Sequence, residues 1–368
     1  MYVTYKLQDT YKQQKFSFED LYNNFGNLTP MYDKIPGKNV TVDLTKEQCI
    51  SLFNKYALAD KLDFLLKLAE KGKTLPLDYE RFYIPKKTGG LREINAPNPI
   101  LSAHLRTVKD YLENSLLCLP HNSAYAYTKG RCTVDAVKAH QDNESKWFLK
   151  MDIKDFFPNC NPEFIKNQLI KCYPFGLINE IYPNLIDDLI APGILNNGLP
   201  QGTPLSPLLT NLMMIPIDCA IEKLLCSYNQ FFIYTRYADD IIISSKYNFD
   251  WTKVQEDISH ILKEETPFDI KKNKTRYGSS AGRNWNLGLM LNKDNAITVG
   301  YKRKERCRAM IYQFMDDYSK GNFWSKADIQ AMTGTISYYK MVEPEYFDTL
   351  IKKYNSKFNL DFDYITKM

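Results

Sequence analysis

Two carboxylates stand side by side, Asp239 and Asp240, after Tyr237 and Ala238 and between two apolar, β-rich runs that together span 231–245. Adjacent anions at a tight hairpin tip repel each other, and a bound cation relieves that cost. A third carboxylate, Asp152, closes the apolar stretch 147–153 and is followed by Lys154, Asp155, Phe156 and Phe157. A carboxylate leaving a buried strand beside an acidic hairpin tip makes an oxygen-rich site. Such a site suits a hard divalent ion like Mg²⁺, which keeps part of its water shell. Two such ions about 3.5–4 Å apart serve an in-line phosphoryl displacement. One lowers the pKa of an attacking hydroxyl, and the other holds a triphosphate and steadies the leaving oxygen. An exposed Asp-Asp turn without chemistry is the plain alternative for Asp239 and Asp240 taken alone.

A further feature is GLPQGTPLSP at 198–207, a Pro/Gly turn feeding an apolar helix. It sets Gln201 at a loop–helix junction, where its amide can contact a nucleotide. An ordinary turn with Ser206 as the helix cap is the competing reading.

These groups need elements to hold them. The stretch 147–153 reads as a short buried strand, and 231–245 as a hairpin with an acidic tip. Residues 205–226 read as one long, largely buried helix. Residues 79–96 alternate Phe82 and Ile84 with polar side chains, turn at Gly89-Gly90 and resume at Leu91 and Ile94, which predicts a second hairpin. Helices are predicted over 99–117 and near 251–264, a basic turn at 271–276, a strand at 285–291 and helices from about 303 onward. At the N-terminal side, 1–40 is polar and irregular. Thr45-Lys-Glu-Gln48 then reads as a capping box for a helical stripe carrying Ile50, Leu52, Phe53, Tyr56 and Leu62 towards Lys73.

With 368 residues, the chain is long enough for two or three subdomains, and 44% hydrophobic residues argue against disorder. Aromatics reach 14%, which fits base stacking as well as core filling. The net charge of +5 permits nucleic-acid binding without demanding it. The basic residues cluster, however: Lys86, Lys87 and Arg92; Lys271, Lys272, Lys274 and Arg276; Lys302, Arg303, Lys304, Arg306 and Arg308. Three clusters beside the acidic motifs favour a surface that tracks phosphates over three unrelated solvated faces. None of the eight cysteines has CxxC spacing, which argues against a zinc site. Without an apolar leader or an apolar run of 18 residues, the expected location is the cytoplasm, with free thiols and no membrane span.

In order along the chain, IPKKTGGLREI, AYAYTKGRCTVDAVKAH, FLKMDIKDFFPNC, GLPQGTPLSPLLTNLM, YTRYADDIIISS, KKNKT and NWNLGLML resemble the blocks of reverse transcriptases. The likeness covers roughly 80–291 and is strongest to the bacterial group of retron, group II intron and antiphage-defence enzymes. It implies an α+β right-hand polymerase with fingers, a palm of antiparallel sheet backed by helices, and a helical thumb. The implied division is an N-terminal helical extension over 1–75, fingers and palm over 76–295 and thumb over 296–368. By the same resemblance, Asp152 and Asp239 ligate two Mg²⁺ ions, with Mn²⁺ as a substitute. The Ile153 carbonyl is a further ligand, and Asp240 completes the acidic set. Lys86 and Arg92 would grip the incoming triphosphate, Arg with its rigid fork, and the amides of Asp155 and Phe156 would support it. Phe157 matches the position beneath the sugar, where a ring clashes with a 2′-hydroxyl. Gln201 would touch the nucleotide, and Lys274 would act as a phosphate contact or proton donor. Trp285, Leu287 and Gly288 resemble the primer grip, and Lys302, Arg303, Lys304, Arg306 and Arg308 would lie on the duplex, an A-form hybrid followed by shape and phosphates.

The implied activity is RNA-directed DNA polymerisation, with deoxynucleotides, an RNA template and a DNA product. A dedicated non-coding RNA, a protein partner or a second copy of the chain would complete the assembly. Departures from the family matter for the subclass. Asp135-Ala136 precedes His140 where retron enzymes carry Asn-Ala, and Asn286-Leu287-Gly288 stands where they carry a VTG block. Together with the chain's length and the lack of a ribonuclease H or endonuclease segment, this favours a stand-alone antiphage-defence enzyme. The alternatives are a retron enzyme making RNA-linked DNA, a protein-primed or template-independent DNA polymerase, and an RNA-gripping scaffold without chemistry. Bulky Phe157 argues against RNA synthesis, and the complete acidic set argues against the scaffold.

Overall fold

In the computed structural model the described residues are 1–6, 39–55, 58–86, 89–116, 118–279 and 285–367. Lys87 and Tyr56 lie outside them. The chain divides into two compact units: Met1–Arg131 with Lys150–Ile243 and Asp250–Arg276, and Cys132–Leu149 with Ser244–Phe249 and Tyr277–Met368.

The first unit opens with strand β1 (Tyr2–Lys6), antiparallel to β2 (Asn39–Asp43), with Thr4 opposite Thr41. This pair was not expected, since 1–40 reads as polar and irregular ahead of the helices. A strand this short acquires its meaning from a partner far away in sequence, here sealed by a 2.8 Å bond between the Thr4 and Thr41 hydroxyls. The capping box forms as expected. The Thr45 amide donates to Gln48 Oε1 (2.8 Å) and the Gln48 amide to Thr45 Oγ1 (3.3 Å), starting α1 (Lys46–Lys55). Helix α2 (Leu58–Lys73) follows and buries Leu62, Leu65, Leu68 and Ala69.

Strands β3 (Tyr79–Pro85) and β4 (Leu91–Pro97) form the expected antiparallel hairpin, in register from Tyr79 opposite Pro97 to Pro85 opposite Leu91. Gly89 and Gly90 take φ of 87° and 80° at its turn, a backbone that a Cβ disfavours. Helix α3 (Pro99–Asn114) is capped by Asn98 and buries Leu101, Leu105, Val108 and Leu112 at helical spacing.

The second unit begins at α4 (Thr133–Asp142), and the chain re-enters the first through β5 (Trp147–Asp152). Short helices α5 (Pro162–Leu169), α6 (Phe175–Ile181) and α7 (Leu185–Ile190) lead to α8 (Ser206–Met213) and α9 (Ile215–Cys226). The single helix expected over 205–226 is thus two. Pro216 in the first turn of α9 lacks the amide that would continue α8 and fits only at a helix start. The cap of α8 is also not Ser206. The N-cap is Leu205, which has no side-chain cap, and Thr203 Oγ1 in the preceding turn accepts the Ser206 amide (3.3 Å).

Strands β6 (Ile233–Tyr237) and β7 (Asp240–Ser245) join through Ala238 and Asp239, and α10 (Trp251–Glu265) precedes β8 (Arg276–Ser279). The strand order of the four-stranded sheet is β6-β7-β5-β8, so the hairpin with the acidic tip lies next to the strand that ends in Asp152.

Within the second unit, β9 (Trp285–Asn286), β10 (Leu289–Leu291) and β11 (Ile297–Thr298) form an antiparallel sheet in the order β11-β10-β9. Here one strand was expected over 285–291. Leu287 and Gly288 both take positive φ, 52° and 82°, the signature of a two-residue hairpin turn. Helices α11 (Tyr301–Ser319), α12 (Lys326–Val342), α13 (Pro344–Phe358) and α14 (Phe362–Ile365) complete the unit around Ile311, Phe314, Met315, Phe347 and Phe362. Among the described residues, no helix is long and apolar enough to cross a membrane.

Candidate active site

The strand β5 delivers Asp152 at its last residue, and the β6–β7 turn delivers Asp239 and Asp240. One backbone bond ties the two together: the Ile153 amide donates to the Asp239 carbonyl at 2.9 Å. The turn is tight because Ala238 takes φ of 56°, a conformation that a small side chain tolerates best.

The charges are incompletely met. Burial pushes the Asp239 carboxyl up, and Asp152 adds to the effect. Burial also lifts Asp240, with Asp239 and Asp152 repelling it, to about 6. Lys271 and Lys274 oppose both shifts. They sit on the remaining carboxylate: Lys271 Nζ lies 2.6 Å from Asp152 Oδ1, and Lys274 Nζ donates to Oδ2 at 2.8 Å. Among the described residues, no three His, Cys, Asp or Glu side chains close into a metal cage. Mg²⁺ rarely uses one. It keeps several waters and takes one or two carboxylates together with substrate phosphates. An open set of mutually repelling carboxylates, covered by two ammonium groups on flexible stems, fits that donor chemistry.

Phe157 is nearly buried, edge-on to Phe156 (5.7 Å) and to Tyr127 (6.3 Å), and the left-handed φ of Asp155 (45°) turns the chain between Asp152 and Phe157. The 198–203 loop is stitched to this turn and to the β3–β4 hairpin. The Leu199 amide donates to the Phe157 carbonyl (3.0 Å), and the Asn95 amide donates to the Gln201 carbonyl (2.8 Å). Both contacts need glycine. A Cβ on Gly198 would fall 2.3 Å from the Pro158 carbonyl oxygen, and one on Gly202 (φ 115°) would meet Ile94 Cγ2 at 2.8 Å. Gln201 is half-buried, while Lys86 and Arg92 are exposed on the hairpin.

In the second unit, Leu287 and Gly288 form the β9–β10 turn, and the Gly288 carbonyl accepts from Arg303. The Trp285 side chain lies outside the described residues. Lys304 pairs with Glu343 at 2.5 Å, whereas Lys302 and Arg306 are exposed. Arg308 pairs with Glu305 at 2.6 Å, so three of the five basic groups expected on the duplex have internal partners.

Two features escaped the sequence reading. A buried cluster lies behind the acidic tip. Arg236 donates from Nε and Nη2 to Asp218 (2.9 and 2.8 Å), Tyr234 donates its hydroxyl to the same carboxylate (2.7 Å), and Arg236 Nη1 donates to Asn211 Oδ1 (3.3 Å) and the Ala238 carbonyl (3.4 Å). Arg236 and Asp218 are fully buried, and only their common lack of exposure, invisible in sequence, marks them. The second is Tyr127, left-handed at φ 58° and half exposed beside Phe157.

Residues 84–302, more than half of the chain, match the family model described as reverse transcriptase (RNA-dependent DNA polymerase). The chain is similar to the retron Ec83 reverse transcriptase of Escherichia coli, 29% identical over 285 residues that span 75% of this chain and 86% of that protein. It is also similar to the retron Ec73 reverse transcriptase of the same species, 28% identical over 81% of this chain and 94% of that one. Among solved structures, a Candida albicans telomerase in complex with a TWJ fragment of telomeric RNA shares 12% identity at a TM-score of 0.45, covering 78% of this chain and 56% of that one. The acidic strand end, the acidic hairpin tip and the family match coincide on the same residues, and the chain belongs to the reverse transcriptases, the RNA-directed DNA polymerases.

Proposed function

We propose that this reverse transcriptase extends a primer by two-metal-ion phosphoryl transfer on a dedicated non-coding RNA, in the manner of a retron enzyme. The observation that carries the mechanism is the acidic cluster: Asp239 and Asp240 are pushed up by burial and mutual repulsion while Lys271 and Lys274 cover Asp152. That is a site short of positive charge. Asp152 and Asp239 would hold the ions through carboxylate oxygens, with Asp240 and the Ile153 carbonyl completing the set. When bound, the ions supply the charge that makes the primer 3′-hydroxyl acidic and neutralises the leaving pyrophosphate. Lys86 and Arg92 grip the triphosphate, supported by the Asp155 and Phe156 amides. Lys274, displaced from Asp152, meets the same phosphates or hands a proton to the leaving group. Phe157 excludes the 2′-hydroxyl and Gln201 orients the nucleotide. In this scheme the fingers and palm occupy 76–295, with Trp285, Leu287 and Gly288 steadying the primer. The thumb occupies 296–368, with Lys302 and Arg306 on the phosphates at once and Arg303 and Lys304 after release from Gly288 and Glu343.

The names of the two relatives favour the retron reading over the stand-alone enzyme. The cytoplasm, where RNA and deoxynucleotides are present, is the proposed location, and antiphage defence the proposed role, checked by phage challenge of cells carrying active and inactive chains.

The test is primer extension on an RNA template with Mg²⁺ and either nucleotide set, beside Asp239→Ala/Asp240→Ala, with sequencing of the nucleic acid that co-purifies from cells. Extension with deoxynucleotides that vanishes in the double variant is expected. DNA covalently joined to RNA in the co-purified fraction supports the retron assignment, and free DNA product overturns it. Extension that survives in the double variant overturns the assignment of the acids.

A further inference from the structure

Tyr127 holds a backbone conformation in which a bulky side chain is rarely found, φ 58°. Such strain persists only where the surroundings over-determine it, and it gathers at ligand sites. The surroundings here are unusually firm. Asn211 Nδ2 donates to the Ala126 carbonyl at 2.8 Å, and the Tyr125 amide donates to the Arg236 carbonyl at 2.9 Å. The Arg236 amide donates back to Ser123 (2.7 Å), and Thr128 Oγ1 and Arg131 Nη1 both donate to the Ala124 carbonyl (3.2 and 3.1 Å). Asn211 and Arg236 are themselves buried and joined to each other. The loop that carries Tyr127 is therefore fastened to the scaffold of the acidic tip just before Tyr127 and closed back onto its own backbone just after it.

The ring it presents is not a core ring. It stays 51% exposed while Ala124, Ala126 and Tyr125 around it are buried. It meets the Phe157 ring edge-on at 6.3 Å. Its phenol is pushed up by burial and by the Asp239 carboxylate, and pulled down by the Arg92 guanidinium. The ring thus lies edge-on to the proposed sugar gate, and the charges of Asp239 and Arg92 both act on its phenol. A strained residue that keeps its ring exposed against that gate has a ligand-facing role, since packing alone would bury it.

We propose that Tyr127 is a specificity-determining residue of the nucleotide pocket, its ring forming the outer wall that holds Phe157 upright against the sugar of the incoming nucleotide. The inference rests on the reading of Phe157 as the sugar gate and adds the residue that keeps the gate in place. Edge-to-face contact acts through the ring and its quadrupole, so the hydroxyl is dispensable for this role.

The experiment is single-nucleotide incorporation, with kcat/KM measured for deoxy- and ribonucleotides in the wild type, Tyr127→Phe, Tyr127→Ala, Tyr127→Gly and Phe157→Ala. The deoxynucleotide preference should fall about three- to tenfold in Tyr127→Ala and Tyr127→Gly, the range an aromatic pair supplies. It should hold in Tyr127→Phe. Glycine adopts positive φ freely, so Tyr127→Gly should unfold at or above the wild-type temperature, which separates a lost wall from a damaged fold. An unchanged preference in both small variants, while Phe157→Ala lowers it, overturns the role of Tyr127 and leaves the gate standing. An unchanged preference in Phe157→Ala removes the gate and this proposal with it. A loss in Tyr127→Phe equal to that in Tyr127→Ala would assign the effect to the hydroxyl and overturn the wall.

Discussion

Asp218 and Asp152 are both buried carboxylates beside cations, one behind the acidic hairpin and one on the neighbouring strand end, and they are satisfied in opposite ways. Asp218 is fully buried and takes three donors, two of them from the flat fork of Arg236. Asp152 keeps 13% of its side chain exposed and faces two lysines, of which Lys274 is 52% exposed. A guanidinium fork fixes direction, whereas an ammonium on a flexible stem is a point charge that moves. The lesson is one of permanence. The charge that shapes the hairpin is locked by arginine, and the charge proposed to work on substrate is covered by ammonium groups on flexible stems.

The sharpest way to break this contrast is to remove the lock. Arg236→Met strands Asp218 in the interior, and an uncompensated buried charge costs about 3–5 kcal/mol. Chemical denaturation should show that loss. The combination Arg236→Met/Asp218→Leu/Tyr234→Phe should restore much of it, because the whole polar cluster is then gone. A single variant that loses less than about 1 kcal/mol would put Arg236 on the same footing as a surface ion pair.

The lock also shows what sequence could and could not reveal. Thr45 with Gln48, Gly89-Gly90 and the Ala238-Asp239 tip were legible because each is a local solution, complete within a few residues. The same holds for Asp152, whose strand announces itself by apolar content. The β1–β2 pair, Arg236 with Asp218, and the Thr203 hydroxyl accepting the Ser206 amide were hidden for the converse reason. Each depends on a partner whose position only the folded chain supplies, or on a choice between neighbouring hydroxyls that local pattern leaves open. The turn that splits the expected strand over 285–291 was missed because a leucine at positive φ contradicts its own preference, and only Gly288 hinted at it. The triphosphate and duplex residues were legible as charges, but not as charges with partners. Lys304 carries Glu343, and Arg303 the Gly288 carbonyl.

A smaller effect sharpens the other half of the contrast. The Asp240 carboxyl sits at about 6, above the ordinary carboxylate value of about 4. Between those values the folded chain binds more protons than the unfolded one, so stability falls as pH rises from about 4 to about 6 and the full penalty stands above 6. The penalty is on the order of 3 kcal/mol. Thermal unfolding without divalent ions should therefore give higher stability near pH 5 than near pH 7 from this site. Asp240→Asn should flatten the slope, and so should added Mg²⁺, which favours the ionised form. An equal slope in Asp240→Asn would place the effect elsewhere.

The lysines are expected to matter least to the fold and most to the ions. Lys274 is half exposed and its pair with Asp152 is screened, so Lys274→Gln should change the stability of the metal-free chain by less than about 1 kcal/mol. Lys271 is more enclosed, and Lys271→Gln should cost somewhat more. Both variants, however, bare the Asp152 oxygens that Mg²⁺ would need. Ions that bind only the folded chain raise its melting temperature in proportion to the logarithm of their saturation. The rise with Mg²⁺ should thus begin at lower ion concentration in the lysine variants than in the wild type, and be lost in Asp152→Asn. If the lysine variants instead bind Mg²⁺ no better, the ammonium groups are not competitors for the carboxylate. The acidic tip would then be as fixed as the arginine cluster behind it, and the contrast between a locked and a replaceable charge would fail at its working end.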